Sequence, residues 1–394
     1  MSDQRADDER ERLMDHVTVV GGGFGGLVAA ITAAEAGAHV TLHEAHRELG
    51  GRGRTADGPY RTNEGPHALY DGGPQWAWLK RRKLLGPLAP IPLREGLRFR
   101  FHHQGRLRVL PPLTLYRQAW RRTAPVDQDF LSWASAAVGE RAARIAANYT
   151  GVATFHHDPG SLSAAFVRER LRRVGKLPPE AHYPKGGWGP LINRMTRYAV
   201  DLGVRIETGS RIDALPETRP VVVATSLDSA RVLLGDETLA WPSGRTLLLD
   251  LAVSARRGDA FVISDLDRPG WIERFTAQDP SLAPQGEQLV QAQIPLAPHE
   301  GKADGVARAE HLLDLGFPGW RERMTWTRTA VATGRTGAVD HPGTTWRDRP
   351  SIDRGDGVFL VGDQVAAPGL LAEVSFTSAH QAAQLALAGR FAVR

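Results

Sequence analysis

The sequence contains no cysteine among its 394 residues. A chain without cysteine has no disulfide scaffold, no thiolate zinc site, no iron–sulfur cluster and no cysteine nucleophile. Long apolar runs are also missing, since stretches such as 221–225 and 247–249 fall far short of the roughly 18 residues that a membrane-spanning helix needs. These absences exclude disulfide-rich modules and membrane-spanning helices, and they leave an ordinary globular protein with more than one domain.

Lysine is scarce as well. Only five of the 49 cationic residues are lysines, so arginine carries almost all of the positive charge. Asp and Glu together number 44, which leaves a formal net charge of +5. Because so small an excess is typical of arginines spread over a solvated surface, we expect no nucleic-acid partner. A basic cluster at 80–83, followed by Leu84 and Leu85, leaves peripheral membrane contact open, and the oligomeric state stays undetermined.

The two ends of the chain differ in composition. Residues 1–15 are polar and densely charged and contain no apolar stretch of the length that a signal peptide needs. We therefore expect these residues to form a disordered arm. The lack of a signal, together with the lack of cysteine, predicts a cytoplasmic location. The alanine-rich stretch 374–394 predicts a helix that closes the fold.

A glycine motif follows the charged arm directly. The β-branched run 16–20 predicts a buried parallel strand, and it leads into G-x-G-x-x-G spacing at Gly21, Gly23 and Gly26. An alanine-rich helix and a second strand come next, and Glu44 ends that strand. In this order the glycines let a pyrophosphate approach the N-terminus of the helix, and the acid accepts hydrogen bonds from a ribose. The segment therefore predicts a dinucleotide-binding domain.

A second pair of glycines distinguishes between dinucleotides. The stretch Leu49-Gly50-Gly51-Arg52-Gly53-Arg54-Thr55 comes soon after Glu44. The order of these motifs resembles the FAD-binding signature of the flavin amine oxidase and phytoene desaturase superfamily. The resemblance implies that Gly51 passes close to FAD and that Arg52 reaches its phosphates through charge-assisted hydrogen bonds. It implies FAD as the cofactor, held non-covalently because no cysteine is available for a thioether.

Three later segments are also similar to this superfamily. Residues 183–189 open a helix and precede a strand near Ile212, which stands where the family usually has a valine against the adenine. The strand 357–363 ends in Gly-Asp, where the family places an acid on the ribityl chain. Residues 368–374 begin a helix whose N-terminus faces the flavin in the family. The FAD-contacting residues implied are Gly21, Gly23, Phe24, Gly25, Gly26, Glu44, Ala45, Gly51, Arg52, Ile212, Ala224, Gly362, Asp363, Leu371 and Val374.

The FAD motifs are scattered along the chain, so one domain must be assembled from separate segments. We predict an α/β fold in which a Rossmann-like FAD-binding domain, of the glutathione-reductase-like flavoprotein type, is interleaved with an α+β substrate domain. Segments 16–75, 178–242 and 346–394 form the FAD-binding domain. Segments 76–177 and 243–345 form the substrate domain.

The two insertions differ in their periodicity. In the first, 129–147 and 162–174 have helical spacing and good helix formers. In the second, 246–253, 260–264 and 288–294 are strand-like. We therefore expect a sheet that roofs the flavin, with helices around it.

Three residues are candidates for chemistry beside the flavin. His67 follows Asn63 in a segment similar to the family's D-x-G-P/A stretch along the isoalloxazine, with Asn63 in place of the usual acid. It could act as a base or make only a structural hydrogen bond. Lys185 could hold a flavin-linked water or cap a surface loop. Glu373 could contact the flavin or substrate, or cap the N-terminus of its helix.

Two histidine pairs raise the question of a metal. His102-His103 and His156-His157 are each adjacent in sequence. Adjacent residues on a strand point to opposite faces, so neither pair forms a chelating site by itself. We interpret both pairs as parts of solvated turns and predict no metal site.

The resemblance implies an FAD-dependent oxidoreductase that desaturates or oxidises a small, lipophilic secondary metabolite by hydride transfer to flavin N5. One alternative is a flavin amine or amino-acid oxidase that releases peroxide. The other is a non-catalytic binding protein with the same fold. The intact FAD signature argues against this last alternative.

Overall fold

The computed structural model describes residues 16–112, Leu115 and residues 123–388. The arm 1–15, for which we predict disorder, lies outside the described residues, as does the end of the C-terminal stretch. The strands are β1 (His16–Val20), β2 (His39–Glu44), β3 (Leu69–Tyr70), β4 (Leu88–Ala89), β5 (Phe99–His103), β6 (Arg106–Arg108), β7 (Ala181–Pro184), β8 (Arg205–Thr208), β9 (Val221–Val223), β10 (Ser243–Ser254), β11 (Val262–Asp265), β12 (Gly270–Arg274), β13 (Glu287–Pro295), β14 (Met324–Ala338) and β15 (Val358–Leu360).

The α-helices occupy many of the segments between these strands. They are α1 (Phe24–Glu35), α2 (Pro74–Arg81), α3 (Leu93–Gly96), α4 (Phe130–Val138), α5 (Glu140–Tyr149), α6 (Gly151–Thr154), α7 (Ala164–Val174), α8 (Gly189–Asp201), α9 (Leu227–Leu234), α10 (Lys302–Gly316), α11 (Trp320–Arg323) and α12 (Ala372–Ala388). No helix in the described part of the chain is both long enough and apolar enough to cross a bilayer.

A five-stranded parallel sheet forms around the predicted first strand. Its order is β15-β9-β1-β2-β8, so β1 lies at the centre. Val17 and Val19 of β1 are completely buried, as are all three valines of β9. Continuous burial of this kind is typical of a parallel strand that is covered on both faces. Helix α1 packs on the sheet and contacts α12 and α8.

A second sheet has seven strands, in the order β14-β10-β13-β12-β11-β5-β6. Its neighbouring strands are antiparallel except for β11 and β5. Side chains alternate between its faces: Leu247 and Leu249 join the core under α10, whereas Thr246 and Leu248 face a large cavity. This alternation follows from the two-residue period of a strand. The predicted strands 246–253, 260–264 and 288–294 overlap β10, β11 and β13.

The helices of the first insertion are shorter than the sequence suggests. The predicted helix 129–147 is two helices, α4 and α5, which meet at Gly139. Gly139 has φ +82°, a conformation that ends a right-handed helix and that glycine adopts without steric cost. Asp129 caps α4 by accepting the Ser132 N–H. The predicted helix 162–174 begins two residues later, at Ala164.

Helix α2 runs past residue 75, the end of the first predicted FAD-binding segment, and its side chains join the core around the parallel sheet. Trp78, Leu79 and Leu84 lie in the hydrophobic core around that sheet. Leu85 packs partly against the same core. The apolar pair after the basic cluster 80–83 therefore contributes to packing.

Candidate cofactor and substrate site

The turn between β1 and α1 brings backbone N–H groups to one end of a large cavity. Gly21 has φ +104°, and a Cβ there would lie 2.6 Å from the Ala224 carbonyl oxygen. A Cβ on Gly26 would lie 1.8 Å from the Gly21 carbonyl oxygen. Glycine at both positions therefore allows β1, α1 and β9 to pack closely. The first turn of α1 directs its unpaired N–H groups and positive dipole end at the cavity.

Glu44 ends β2 beside this turn. Its Oε2 accepts the Gly22 N–H at 2.8 Å, and its Oε1 accepts the His46 N–H at 2.9 Å. Burial alone would raise the pKa of Glu44, but the hydrogen bonds from His46 and Gly22 outweigh it and hold the pKa below its usual value. The carboxylate thus stays ionised, as an acceptor for ribose hydroxyls must.

Arg52 and Asp363 meet although they are far apart in the sequence. The Arg52 Nη1 donates to Asp363 Oδ2 at 2.6 Å and to the Arg335 carbonyl oxygen at 2.7 Å. Burial raises the pKa of Asp363, and the Arg52 charge more than offsets this, so the pKa lies below its usual value. Arg52 lies on a 3₁₀ turn, Gly51–Gly53, that runs beside the glycine turn, with Gly50 N–H donating to the Gly22 carbonyl at 2.8 Å.

One cavity of about 1080 Å³ is lined by nearly all of the predicted cofactor residues. The exceptions are Gly26, which is packed behind the turn, and Val374, which is buried in the core. We call the part of the cavity lined by the glycine turn, Glu44, the Gly51–Gly53 turn and Asp363 the cofactor cradle. Its residues would fit a dinucleotide, because a helix N-terminus, the ionised Glu44 and the guanidinium of Arg52 follow one another along it.

The other part of the cavity, which we call the substrate chamber, lies under the seven-stranded sheet. Its walls are aromatic and aliphatic side chains, including Tyr70, Phe99, Phe101, Tyr183, Phe261 and Trp271. The chamber opens directly into the cofactor cradle, since both belong to the same cavity. A concave apolar site with a few convergent polar groups is the usual form of a small-molecule site.

Glu273 is a buried acid in the wall of the substrate chamber, and the sequence did not indicate it. It lies on β12 and is 2 % exposed. Its carboxylate accepts hydrogen bonds from Gln278 Nε2 at 2.7 Å and from Trp271 Nε1 at 3.2 Å, and the Tyr183 hydroxyl is a third partner. Burial raises the pKa of Glu273 to about 7, although these hydrogen bonds oppose the rise. The group therefore changes charge near neutral pH, as an acid or base of a reaction does.

A buried ion cluster joins the chamber to the cofactor side. The guanidinium of Arg173, from α7, donates to both carboxylate oxygens of Glu373 at 2.9 and 2.8 Å, and its Nε donates to Glu180 at 2.6 Å. Glu373 also accepts the Leu370 N–H at 2.8 Å. Arg173 lines the cavity, whereas Glu373 lies behind it. Through these contacts, Glu373 orients Arg173 and the start of α12.

His67 lies behind the wall of the cavity. It is 1 % exposed and lines a separate small gap with Asn63, Asp250 and Phe275. Its Nδ1 is 3.4 Å from the Asn63 side-chain amide, and burial lowers its pKa to about 4. A neutral, enclosed imidazole of this kind fits the structural alternative that the sequence left open.

Lys185 is exposed and does not line the cavity, and only its backbone N–H, which donates to Pro87, is fixed. The loop-capping alternative is therefore the one its position fits.

The first histidine pair is not in a solvated turn, contrary to our expectation. His102 and His103 lie buried on β5. Their Nδ1 atoms lie 2.8 Å from Asp265 and Asp267, respectively. His102, Asp265 and Asp267 are close enough together to hold a metal ion. However, Asp265 Oδ1 already accepts the Asp267 and Arg268 N–H groups. These hydrogen bonds within the turn explain the position of the Asp265 carboxylate without a metal.

Comparison with known proteins agrees with this geometry. A family model described as an NAD(P)-binding Rossmann-like domain matches residues 19–82. No curated protein sequence matches the chain. An oxidoreductase from Methanosarcina mazei is 17% identical in structure-based alignment, which covers 94% of this chain and 100% of that one, with a TM-score of 0.72.

Two further structures show how widely this fold is used. Cyclohexylamine oxidase from Brevibacterium oxydans is 15% identical, with 95% of this chain and 99% of that one covered and a TM-score of 0.69. RAB GDI from Plasmodium falciparum is 10% identical, with 95% and 98% covered and a TM-score of 0.57. The predicted fold class is confirmed: a parallel-sheet Rossmann-like domain is interleaved with a second, mixed domain. The chain therefore shares its fold with these proteins.

Proposed function

We propose that the protein is an FAD-dependent oxidoreductase that oxidises or desaturates a small, lipophilic molecule. The observation that carries this proposal is the continuity of one cavity, from the cofactor cradle into an apolar chamber. The cradle residues would hold FAD beside the chamber, and the aromatic side chains of the chamber would exclude water from a substrate bound there.

Each part of the cradle has a role in this proposal. The N-terminus of α1 and Arg52 bind the pyrophosphate, and Glu44 binds the adenosine ribose. Asp363, which pairs with Arg52, would bind the ribityl chain. When bound, the flavin supplies a hydride acceptor, which no protein side chain provides.

The chamber limits the chemistry of the substrate. Its aromatic walls favour an apolar body of moderate size, and Glu273 offers one hydrogen-bonding partner. A substrate with one polar group places that group at Glu273 and its apolar body along the wall. Glu273 also holds or accepts a proton there, because its pKa of about 7 lets both charge states occur at neutral pH.

A second candidate function is oxidation of an amine with release of peroxide. Glu273 favours it, because an ionised carboxylate in an apolar chamber pairs well with a cationic amine. The similarity in fold to cyclohexylamine oxidase is compatible with it.

The experiment begins with the purified protein, which we expect to be yellow and to release FAD on denaturation. A colourless protein that takes up no FAD would refute both redox functions and favour a binding protein. Anaerobic mixing with apolar alcohols, alkenes and amines then tests for bleaching of the flavin absorbance. Peroxide on re-aeration after amine treatment would select the amine oxidase, whereas bleaching by neutral substrates alone would select the first proposal.

A further inference from the structure

The rim of the substrate chamber exposes large apolar side chains. Leu93, Leu97 and Leu110 are 92%, 75% and 77% exposed, and Leu177 is 73% exposed. Singly exposed leucines are ordinary on a protein surface, whereas a group of them at one place marks an interaction site.

The chain itself brings these residues to the cavity. Leu93 and Leu97 flank Gly96 at α3, and Leu110 directly precedes Pro111. Leu177 lines the cavity, as do Ile91, Gly96 and Pro111 from the same rim. The exposed leucines therefore surround the mouth of the chamber; we call them, with the residues between 91 and 112, the mouth surface.

The mouth surface is also strongly basic. Between residues 91 and 112 the chain has five arginines and a single acid, Glu95. Glu95 is buried and pairs with Arg98 and Arg274, so it faces inward. Arg106 and Arg108 are exposed, and the side chain of Arg94 is 83% exposed. Since the whole chain carries a net charge of only +5, this one rim holds a large share of the excess.

We propose that the mouth surface docks on a bilayer that contains anionic lipids. Leucines at the tip enter the boundary of the acyl chains, while arginines around them bind lipid phosphates, as in other peripheral amphipathic surfaces. The chamber then opens toward the apolar layer, and a lipophilic ligand reaches it without crossing water. The basic cluster at 80–83 is a different surface, whose neighbouring Leu84 is in the core.

The first test is co-sedimentation of the full chain with vesicles of phosphatidylcholine, with and without phosphatidylglycerol. We expect binding to the anionic vesicles that weakens as salt is raised. Arg106→Ser/Arg108→Ser should weaken binding by about fivefold for each arginine removed. The matched control Arg144→Ser/Arg205→Ser, which removes two other exposed arginines, should bind like the wild type. Equal loss in both variants would overturn the proposal, because it would show only a general charge effect.

The second test locates the contact. Because the sequence has no cysteine, Leu97→Cys can be labelled at one site with an environment-sensitive dye. Val200→Cys, at a 55% exposed position on α8, is the control. We expect a blue shift of the dye emission at position 97 on addition of anionic vesicles and none at position 200. A shift at 97 that rises with protein concentration and needs no vesicles would overturn the proposal in favour of a second copy. Failure to bind vesicles would overturn it as well, whether or not the protein carries FAD.

Discussion

The cofactor cradle and the substrate chamber occupy one cavity, but they are built differently. The cradle is made largely of backbone: a glycine turn, a helix N-terminus and a second glycine turn lie within 16–55, and few side chains complete it. The chamber is made of side chains from distant segments, such as Tyr70, Tyr183 and Glu273. A backbone site tolerates little variation, because a Cβ at its turns meets other backbone. A side-chain site can change its specificity residue by residue while the fold persists.

Removing the cluster that joins the two regions should have the largest effect. Arg173→Met leaves the buried carboxylates of Glu373 and Glu180 without their partner. We expect a loss of about 3–5 kcal/mol in the free energy of unfolding, measured by urea denaturation. The control is Arg144→Met, whose exposed pair with Glu140 should contribute less than about 1 kcal/mol. Similar losses in the two variants would contradict a structural role for the cluster.

A methyl group behind the glycine turn should destabilise the protein almost as much. In Gly26→Ala, the new Cβ would lie 1.8 Å from a backbone oxygen, so β1 and α1 must separate. We expect a loss of about 3 kcal/mol in the free energy of unfolding, together with loss of FAD retention. Gly96→Ala at the chamber mouth meets nothing within 4 Å and should be close to neutral. Thermal denaturation and flavin content measure both variants.

His67 should make the protein sensitive to acid. Its pKa is about 4 in the folded protein, below the ordinary 6.5, so the unfolded chain binds its proton first. This contribution to stability is complete above pH 6.5 and is lost as the pH falls toward 4, by up to about 3 kcal/mol. His67→Gln should reduce that loss between pH 7 and pH 4.5 in urea denaturation. An unchanged pH dependence would show that protonation of His67 is not penalised.

Replacing Glu44, the acid of the cradle, should weaken the binding of the cofactor without unfolding the protein. Glu44→Ala removes the acceptor for the ribose, and hydrogen bonds to charged groups contribute about 1.5–3 kcal/mol. We expect the dissociation constant for FAD to rise at least tenfold. Flavin fluorescence after dilution measures this constant. Glu48→Ala, at an exposed acid of the same loop, is the control. Unchanged FAD occupancy in Glu44→Ala would refute the ribose contact.

We expect the smallest change in stability from a substitution in the chamber. Glu273→Gln removes a group that titrates near pH 7 but keeps its size, so stability should change little. Substrate-dependent flavin reduction in the wild type should vary with pH around 7, and in the variant that variation should flatten. A pH profile that keeps the same midpoint in Glu273→Gln would assign the titration to another group.

The sequence predicted the cradle better than the chamber for a physical reason. Gly21, Gly23 and Glu44 act through local turns, whose geometry is determined by neighbouring residues. His67 was chosen because histidine titrates near neutrality, but only packing decides whether its ring reaches a cavity. Glu273 is a single acid in a short strand, and the one available signal was its position beside apolar Ile272. The helix predicted at 129–147 was divided at Gly139, whose positive φ was not apparent from periodicity.

The sequence by itself determined the glycine turn, the parallel strands and the interleaving of two domains. These follow from glycine sterics and hydrophobic periodicity, which act over a few residues. The tertiary structure alone decided that Arg52 meets Asp363, that Arg173 bridges Glu180 and Glu373, and that Glu273 lies buried in the wall of the chamber. Such contacts join residues that are distant in the chain, and their pKa values depend on burial, which exists only after the chain has folded.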